Sequence, residues 1–279
     1  MRKQAGWMQI LVECKNMIRE QISPTLWSPN QAVPDLGVGA GGDPIRKADL
    51  TAENAIVRTF RKHEVSFTLI SEESGIKEFG KAPHECFVTA DPIDGTTNLM
   101  RGIPFYATSI AVSASADLDT VHAALVTDLF RNVTYAAQKG KGASREKGEI
   151  TPSRVVSLED AVVGIDLNSY RIESIIPRLT GLIQRTRHVR HFGANALELC
   201  YVADGTTDAF VDIRGKLRAT DVAAAWLILQ EAGGIATKPD GKALSFRLDP
   251  NQRVDFVAAG NREIHDAILG LMRSEKEAK

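Results

Sequence analysis

The stretch Asp91-Pro92-Ile93-Asp94-Gly95-Thr96-Thr97-Asn98 decides how this chain is read. It follows the apolar run Cys86-Phe87-Val88, so it stands at the end of a predicted buried strand over Cys86 to Ala90. Two carboxylates joined by a stiff proline can converge on one point. Left unneutralised, they repel and one keeps its proton. A hard divalent cation removes that conflict, and all-oxygen ligation suits Mg²⁺, Mn²⁺ or Ca²⁺ rather than zinc or copper. An isolated Asp-x-x-Asp-Gly is most often a turn. Here Gly95-Thr96-Thr97 follows, and backbone N–H groups that open a helix favour phosphate. The stretch reads as a metal seat beside a phosphate seat.

Other acids have two readings each. Glu72 and Glu73 follow the predicted strand Phe67-Thr68-Leu69-Ile70. Alone they would be a solvated surface pair. A second acidic strand end points instead to a ligand site, because ligands gather at strand C-termini in layered α/β proteins. Asp221 opens an apolar helix and reads first as a cap. The glycine-rich run from Val33 to Asp43 is either a hairpin turn or a loop that closes over a site.

The 279 residues suffice for one large domain or two that share an interface, and 43% hydrophobic content is enough for a core without metal. A formal charge of −1 with mixed signs argues against nucleic acid as a partner, so a substrate must be attracted locally. Cys14, Cys86 and Cys200 are odd in number and far apart, which suits buried thiols in a reducing compartment. No apolar run spans a bilayer and no signal segment is evident, so a cytoplasmic protein is expected.

Helical spacing of Trp7, Ile10, Leu11, Cys14, Met17 and Ile18 predicts an opening helix that ends at Ser23-Pro24. Asp49 precedes a helix with Ala52, Ala55, Ile56 and Phe60 on its apolar face. Alternation over 107–114, 121–127 and 132–137 predicts an antiparallel meander, turning at Lys139-Gly140-Lys141-Gly142. A domain boundary is expected near 146/147, with an α+β domain over 1–146 and an α/β domain over 147–279. In the second part, predicted strands at 162–165, 189–192, 209–213 and 256–259 alternate with helices at 172–183, 194–202 and 222–232. Gly233-Gly234 stops the 222–232 helix and Asn261 caps the last one. His188 and His191, three apart in a strand, would face opposite ways. Arg214, Lys216 and Arg218 read as a ribbon that is at least partly a solvated sheet edge. Trp7 and Trp226 read as core.

Glu72-Glu73-Ser74, Asp91 to Asn98 and Thr220-Asp221-Val222-Ala223-Ala224 together resemble the signatures of the inositol monophosphatase superfamily, in the same order. The similarity includes Gly140-Lys141-Gly142-Ala143 and Glu231-Ala232-Gly233-Gly234. Lys47 to Asn54 and Asp208 to Arg214 look closest to its archaeal-type branch, which acts on inositol monophosphate and fructose-1,6-bisphosphate. The resemblance implies a five-layer αβαβα sandwich, usually a homodimer, with two or three Mg²⁺ per site and Mn²⁺ as a substitute. It implies that Glu72 (in preference to Glu73), Asp91, the Ile93 carbonyl, Asp94 and Asp221 ligate metal. Asp49 would orient a further metal or its water, and Thr96 with Glu72 or Asp49 would position the attacking water. Gly95, Thr96 and Thr97 would hold phosphate, and Arg190, Asn195, Asp212 and Arg214 would line the sugar or second-phosphate pocket together with Asp94. The branch carries an Asp in a Gly-Ala-Asp-Gly run of its mobile loop. This chain has Gly39-Ala40-Gly41-Gly42 with Asp43 after it, so a third metal needs Asp43 or binds weakly.

The implied reaction is direct transfer of the phosphoryl group to water between ions roughly 3.5–4 Å apart. No Cys or Ser nucleophile with a neighbouring base is evident. A phosphatase of 3′-phosphoadenosine 5′-phosphate is the rival within the superfamily, but Thr97-Asn98 points to the sugar and polyol side. A non-catalytic sugar-phosphate-binding relative would have lost acids that this chain retains.

Overall fold

Ile10, Leu11, Cys14, Ile18 and Ile22 form a buried stripe along the first helix, α1 (Trp7–Leu26). Their spacing is that of one helix face. They pack with Ala52, Ala55, Ile56 and Phe60 of α2 (Lys47–Lys62). The protein is described by a computed structural model, which covers residues 6–26, 39–40, 46–168 and 172–277. Helix α1 runs through Ser23-Pro24, where the sequence predicts its end. A proline in the last turn removes one donor without stopping the chain.

Strands β1 (Phe67–Ser71), β2 (Gly75–Phe79), β3 (Phe87–Asp94), β4 (Ala107–Ser113), β5 (Val121–Asp128), β6 (Val133–Gln138), β7 (Ala143–Arg145) and β8 (Gly148–Glu149) build the first sheet. Its order is β2-β1-β3-β4-β5-β6-β7-β8, and only β1 and β3 pair in parallel. The short helix α3 (Thr96–Arg101) leaves the end of β3. The expected boundary at 146/147 falls in the turn between β7 and β8, and the second sheet begins at Val162.

That second sheet contains β9 (Val162–Ile165), β10 (His188–Arg190), β11 (Ala209–Arg218), β12 (Ile235–Thr237) and β13 (Arg253–Ala259), in the order β10-β9-β11-β13-β12. Helices α4 (Ile172–Arg185) and α7 (Arg262–Glu277) cover its outer face. Helices α5 (Asn195–Ala203) and α6 (Ala219–Ala232) lie between the sheets. Ala223, Ala224 and Ala225 of α6 are buried, and their small side chains allow close approach to both neighbours. The layers are therefore α1/α2, sheet, α5/α6, sheet, α4/α7, the αβαβα sandwich that the resemblance implies.

Helix α6 ends on Gly233, whose φ of +95° is the left-handed conformation that favours glycine. Asn261 Oδ1 accepts the Ile264 N–H at 3.0 Å, so it caps α7 as expected. Trp7 and Trp226 pack against the cores as half-buried residues.

Asn98 ties the two halves together. Its amide donates to the carbonyls of Phe105 at 2.8 Å and Phe192 at 2.7 Å. Phe105 and Phe192 stack, with ring centroids 4.9 Å apart. Replacing Asn98 with Ala leaves both carbonyls short of a donor in a buried place. Asn98→Ala is expected to destabilise the fold by about 2 kcal/mol, on the scale of one to two buried hydrogen bonds. Urea denaturation measures this, and a change below about 0.5 kcal/mol would contradict the role.

Candidate active site

A register shift aims the acidic strand end. Asp91 pairs with Ser109 and Asp94 with Ala107, so β3 carries one residue more than β4 across that interval. In a regular strand, residues three apart face opposite ways. The extra residue is a bulge, and it turns Asp91 and Asp94 towards the same end of the sheet. Asp91 Oδ1 accepts the Ile93 N–H at 3.0 Å, which fixes the bend.

Parallel pairing of β1 with β3 sets Ser71 beside Ala90, so Glu72 emerges next to Asp91. Glu53 of α2 holds the turn that carries Glu72. Its Oε2 accepts hydrogen bonds from the Ser71 hydroxyl and from the Ser74 N–H, the latter at 3.2 Å. Asp221 arrives from the first turn of α6, where its Oδ2 accepts the Arg218 N–H at 3.1 Å. It caps the helix, as its position suggests, and also faces the site. Ligand atoms of Glu72, Asp91 and Asp221 all lie within 4.8 Å of one another.

Burial pushes the Asp91 carboxyl well above the usual range, and the charges of Glu72, Asp221, Asp94 and Asp49 push it further. Burial likewise raises Asp221, against the pull of Arg218. Glu72 also meets Arg218, with Oε1 2.7 Å from Nη1. Glu73 stands outside the group of three, and burial with the charges of Asp49 and Glu72 pushes it up to about 8.

Asp94 is turned differently. Its oxygens accept the N–H groups of Asn195 at 3.0 Å and Ala196 at 2.7 Å. Helix α5 has alanine at its N-cap, so a carboxylate from the first half of the chain caps it instead. Burial and Asp221 raise Asp94, while these two N–H groups lower it.

Asp49 repeats the Asp221 arrangement at the start of α2, accepting the Arg46 N–H at 3.1 Å. Thr96 Oγ1 lies 2.9 Å from the Ile93 carbonyl oxygen and 3.3 Å from Asp49 Oδ1. Burial pushes Asp49 up to about 7. Gly95 precedes α3 with φ +88°, and a Cβ there would meet Ala194 Cβ at 3.0 Å and the Phe105 carbonyl oxygen at 3.2 Å. Only glycine fits at this junction.

Glu72, Asp91, Asp94, Gly95, Thr96 and Asp221 line a cavity of about 930 Å³. Arg214, Lys216, Arg218, Arg253 and His191 line it as well. Within the ribbon 214–218 Lys216 is exposed, as a partly solvated ribbon requires, whereas the Arg214 side chain is only 8% exposed. Strand β9 pairs with β11 over 209–211 and does not reach this stretch. Between Asp212 and Leu217 the strand carries three residues more than β13, so Ile213–Lys216 protrudes. Arg214 lies between two buried acids, with Nη2 2.6 Å from Asp166 Oδ2 and Nε donating to Asp212 Oδ1 at 2.9 Å. His191 lies beyond the end of β10, so the strand-face argument does not apply to it, and its Nδ1 is 3.6 Å from Asp166.

Asn195 lines the cavity and its buried Oδ1 has no hydrogen-bond partner. Asp212 sits behind Arg214 rather than on the cavity wall, and Arg190 is exposed outside it with its guanidinium on the Val189 carbonyl. Of the glycine-rich run, Gly39 and Ala40 are described, and the Ala40 N–H donates to the Glu73 carbonyl at 3.0 Å. Asp43 lies outside the described residues. Asp166, His191, Arg218 and Arg253 had not been singled out as site residues. A short apolar strand ending in an acid was available as a signal for Asp166.

Glu198 supports the wall from α5. Its Oε1 accepts the N–H groups of Phe192 at 3.2 Å and Gly193 at 3.0 Å, and burial pushes its carboxyl up to about 8.

Residues 8–277 match the sequence pattern of the inositol monophosphatase family. The fructose-1,6-bisphosphatase/inositol-1-monophosphatase of Methanothermobacter thermautotrophicus is 35% identical, over 94% of this chain and 95% of that protein. The bifunctional NADP phosphatase/NAD kinase of Methanococcus maripaludis is 33% identical over 91% of this chain, which spans 47% of that longer protein. Among solved structures, the MJ0109 inositol monophosphatase-fructose 1,6 bisphosphatase superposes with a TM-score of 0.84 at 30% identity, covering 95% of this chain and 99% of that one.

The raised Glu198 pKa has a stability consequence. Between its ordinary 4.5 and about 8, the folded chain holds a proton there that the unfolded chain releases. This contribution to stability is present at low pH and declines as pH rises through that window. Glu198→Gln is expected to show a smaller fall in melting temperature from mildly acidic to mildly alkaline buffer than the wild type. Equal falls would contradict the assignment.

Proposed function

The chain belongs to the inositol monophosphatase family, and from that premise we propose that it hydrolyses small sugar or polyol phosphates, with fructose-1,6-bisphosphate and inositol monophosphate as its candidate substrates. The relatives named for both activities support the choice. The observation that carries it is the meeting of Glu72, Asp91 and Asp221, from three separate elements, in a cavity that Arg214, Lys216, Arg218 and Arg253 also line.

A buried, all-oxygen set of mutually repelling acids fits a hard divalent cation. In this proposal Glu72, Asp91 and Asp221, with the Ile93 carbonyl and the remaining lone pairs of Asp94, hold Mg²⁺, or Mn²⁺ in its place. Bound there, the metal would neutralise the phosphoryl oxygens and make a coordinated water nucleophilic. The Thr96 hydroxyl, held 2.9 Å from the Ile93 carbonyl and 3.3 Å from Asp49 Oδ1, would accept a hydrogen bond from that water and orient it. The N–H groups of Gly95, Thr96 and Thr97 face the phosphate. Arg214, held rigid by Asp166 and Asp212, receives a second anionic group. The Asn195 carboxamide oxygen accepts from a substrate hydroxyl. Three buried free cysteines suit a cytoplasmic setting, and a homodimer follows the family habit.

A second reading is a dinucleotide phosphate as substrate. The cavity of about 930 Å³ has room for one, Ile103 and Phe192 supply an apolar wall, and the relative named for NADP phosphatase matches nearly the whole chain.

Phosphate release from inositol 1-phosphate, fructose-1,6-bisphosphate, NADP and 3′-phosphoadenosine 5′-phosphate, with and without Mg²⁺, tests the assignment. Metal-dependent release, strongest with one or both of the first two, is expected. Preference for NADP would favour the second reading, and no release from any of them with Mg²⁺ or Mn²⁺ would overturn both.

Asp91→Asn is expected to lower turnover by more than about 100-fold, beyond what loss of a ligand's supporting partner causes. Its circular dichroism should match the wild type. Near-wild-type turnover would show that Asp91 holds no metal. Asn195→Ala is expected to raise KM more than it lowers kcat, and a change confined to kcat would contradict a binding role.

A further inference from the structure

We propose that a second cavity, between α4, α7 and the turn after β12, binds a small phosphorylated metabolite with an apolar body and signals its occupancy to the substrate cavity. This cavity measures about 500 Å³, within the range of small-molecule sites. Arg178, Lys238, Arg253 and Arg273 line it, against the carboxylates of Asp240 and Asp255, an excess of two positive charges. Asp240 is already engaged by Lys242, whose ammonium lies 3.0 Å away. A phosphate monoester dianion matches the excess. Leu244, Val254 and Met272 are buried beneath the cations and would take the apolar part.

Two links join this cavity to the substrate site. Arg253 lines both. Asp255, two residues along β13, accepts the Gly215 N–H at 2.7 Å. Gly215, with φ +65°, lies on the protrusion that carries Arg214 and Lys216 into the substrate cavity. Burial pushes the Asp255 carboxyl up, and Arg178 from one cavity and Arg214 from the other both draw it down. An anion that engages Arg178 and Arg253 changes the field on Asp255 and the hold on the protrusion. The expected effect is on substrate binding, through KM, rather than on the chemical step. The site itself is independent of the phosphatase reading, whereas its effect on KM rests on it.

The probe is phenylphosphonate, whose phosphorus–carbon bond a phosphatase does not hydrolyse. Isothermal titration into the full chain in EDTA is expected to show one site that persists in Arg214→Ala. In the Arg178→Ala/Arg273→Ala double variant its Kd should rise at least about tenfold. Lys238→Glu, a change on an exposed turn, should weaken it in the same direction and covers the case in which the double variant misfolds. No binding to the wild type, or equal affinity in these variants, would overturn the site. With Mg²⁺ and fructose-1,6-bisphosphate, saturating probe should shift KM in the wild type but not in the double variant. An equal shift in both would mean simple competition at the substrate site, and binding without any shift would overturn the coupling. Intact probe binding in a protein that releases no phosphate would sink the phosphatase reading alone.

Discussion

Charge repulsion among buried carboxylates is the constraint on which the rest of the site depends. Asp91, Asp94 and Asp221 are nearly inaccessible to water, and Glu72 stands against them. A fold that gathers such groups gives up stability unless protons, cations or N–H groups compensate. Each kind of compensation is visible. Arg218 meets Glu72, two N–H groups of α5 meet Asp94, and burial holds Asp91 and Asp221 towards their protonated forms. A divalent cation would do the same work at one point, and this is the physical basis for placing a metal there.

The architecture serves this convergence through backbone devices. One extra residue in β3 re-aims its acids. Helices α2 and α6 both begin with Arg-x-x-Asp, and in both the Asp accepts the Arg backbone N–H; Asp221 lines the cavity, and Asp49 reaches Thr96 of its lining. Asp94 caps α5 across the interface between the halves, so the helix that presents Asn195 and Glu198 is registered on the same strand as Asp91. Chemistry and domain packing therefore share residues, and Asn98 adds a second tie in the same region.

Much of this was legible in the sequence, for local reasons. Asp91 to Thr97 carries its chemistry within one turn of chain, and helical periodicity located α1, α4 and α6 to within a few residues. The sandwich itself and the role of Asp221 came from joint motifs, because a lone Asp at a helix start looks like a cap and is one here. The ribbon 214–218 was legible only in part. The exposed Lys216 fits a solvated ribbon, but the burial of Arg214 depends on Asp166 and on the register with β13, some forty residues on, which no local pattern reveals. Pairing of Asp166 with Arg214 likewise needs the parallel register of β9 and β11. Asp94 was read as a metal ligand and pocket residue but not as the cap of α5, since that duty lies with N–H groups a hundred residues away.

The most direct test of the central claim is anomalous diffraction from crystals of the wild-type protein soaked in Mn²⁺. The account predicts a peak bounded by Glu72, Asp91 and Asp221, with carboxylate oxygens and the Ile93 carbonyl at about 2.0–2.3 Å, the range for hard cations of this size. Full Mn²⁺ occupancy elsewhere with no density among these three acids would contradict it.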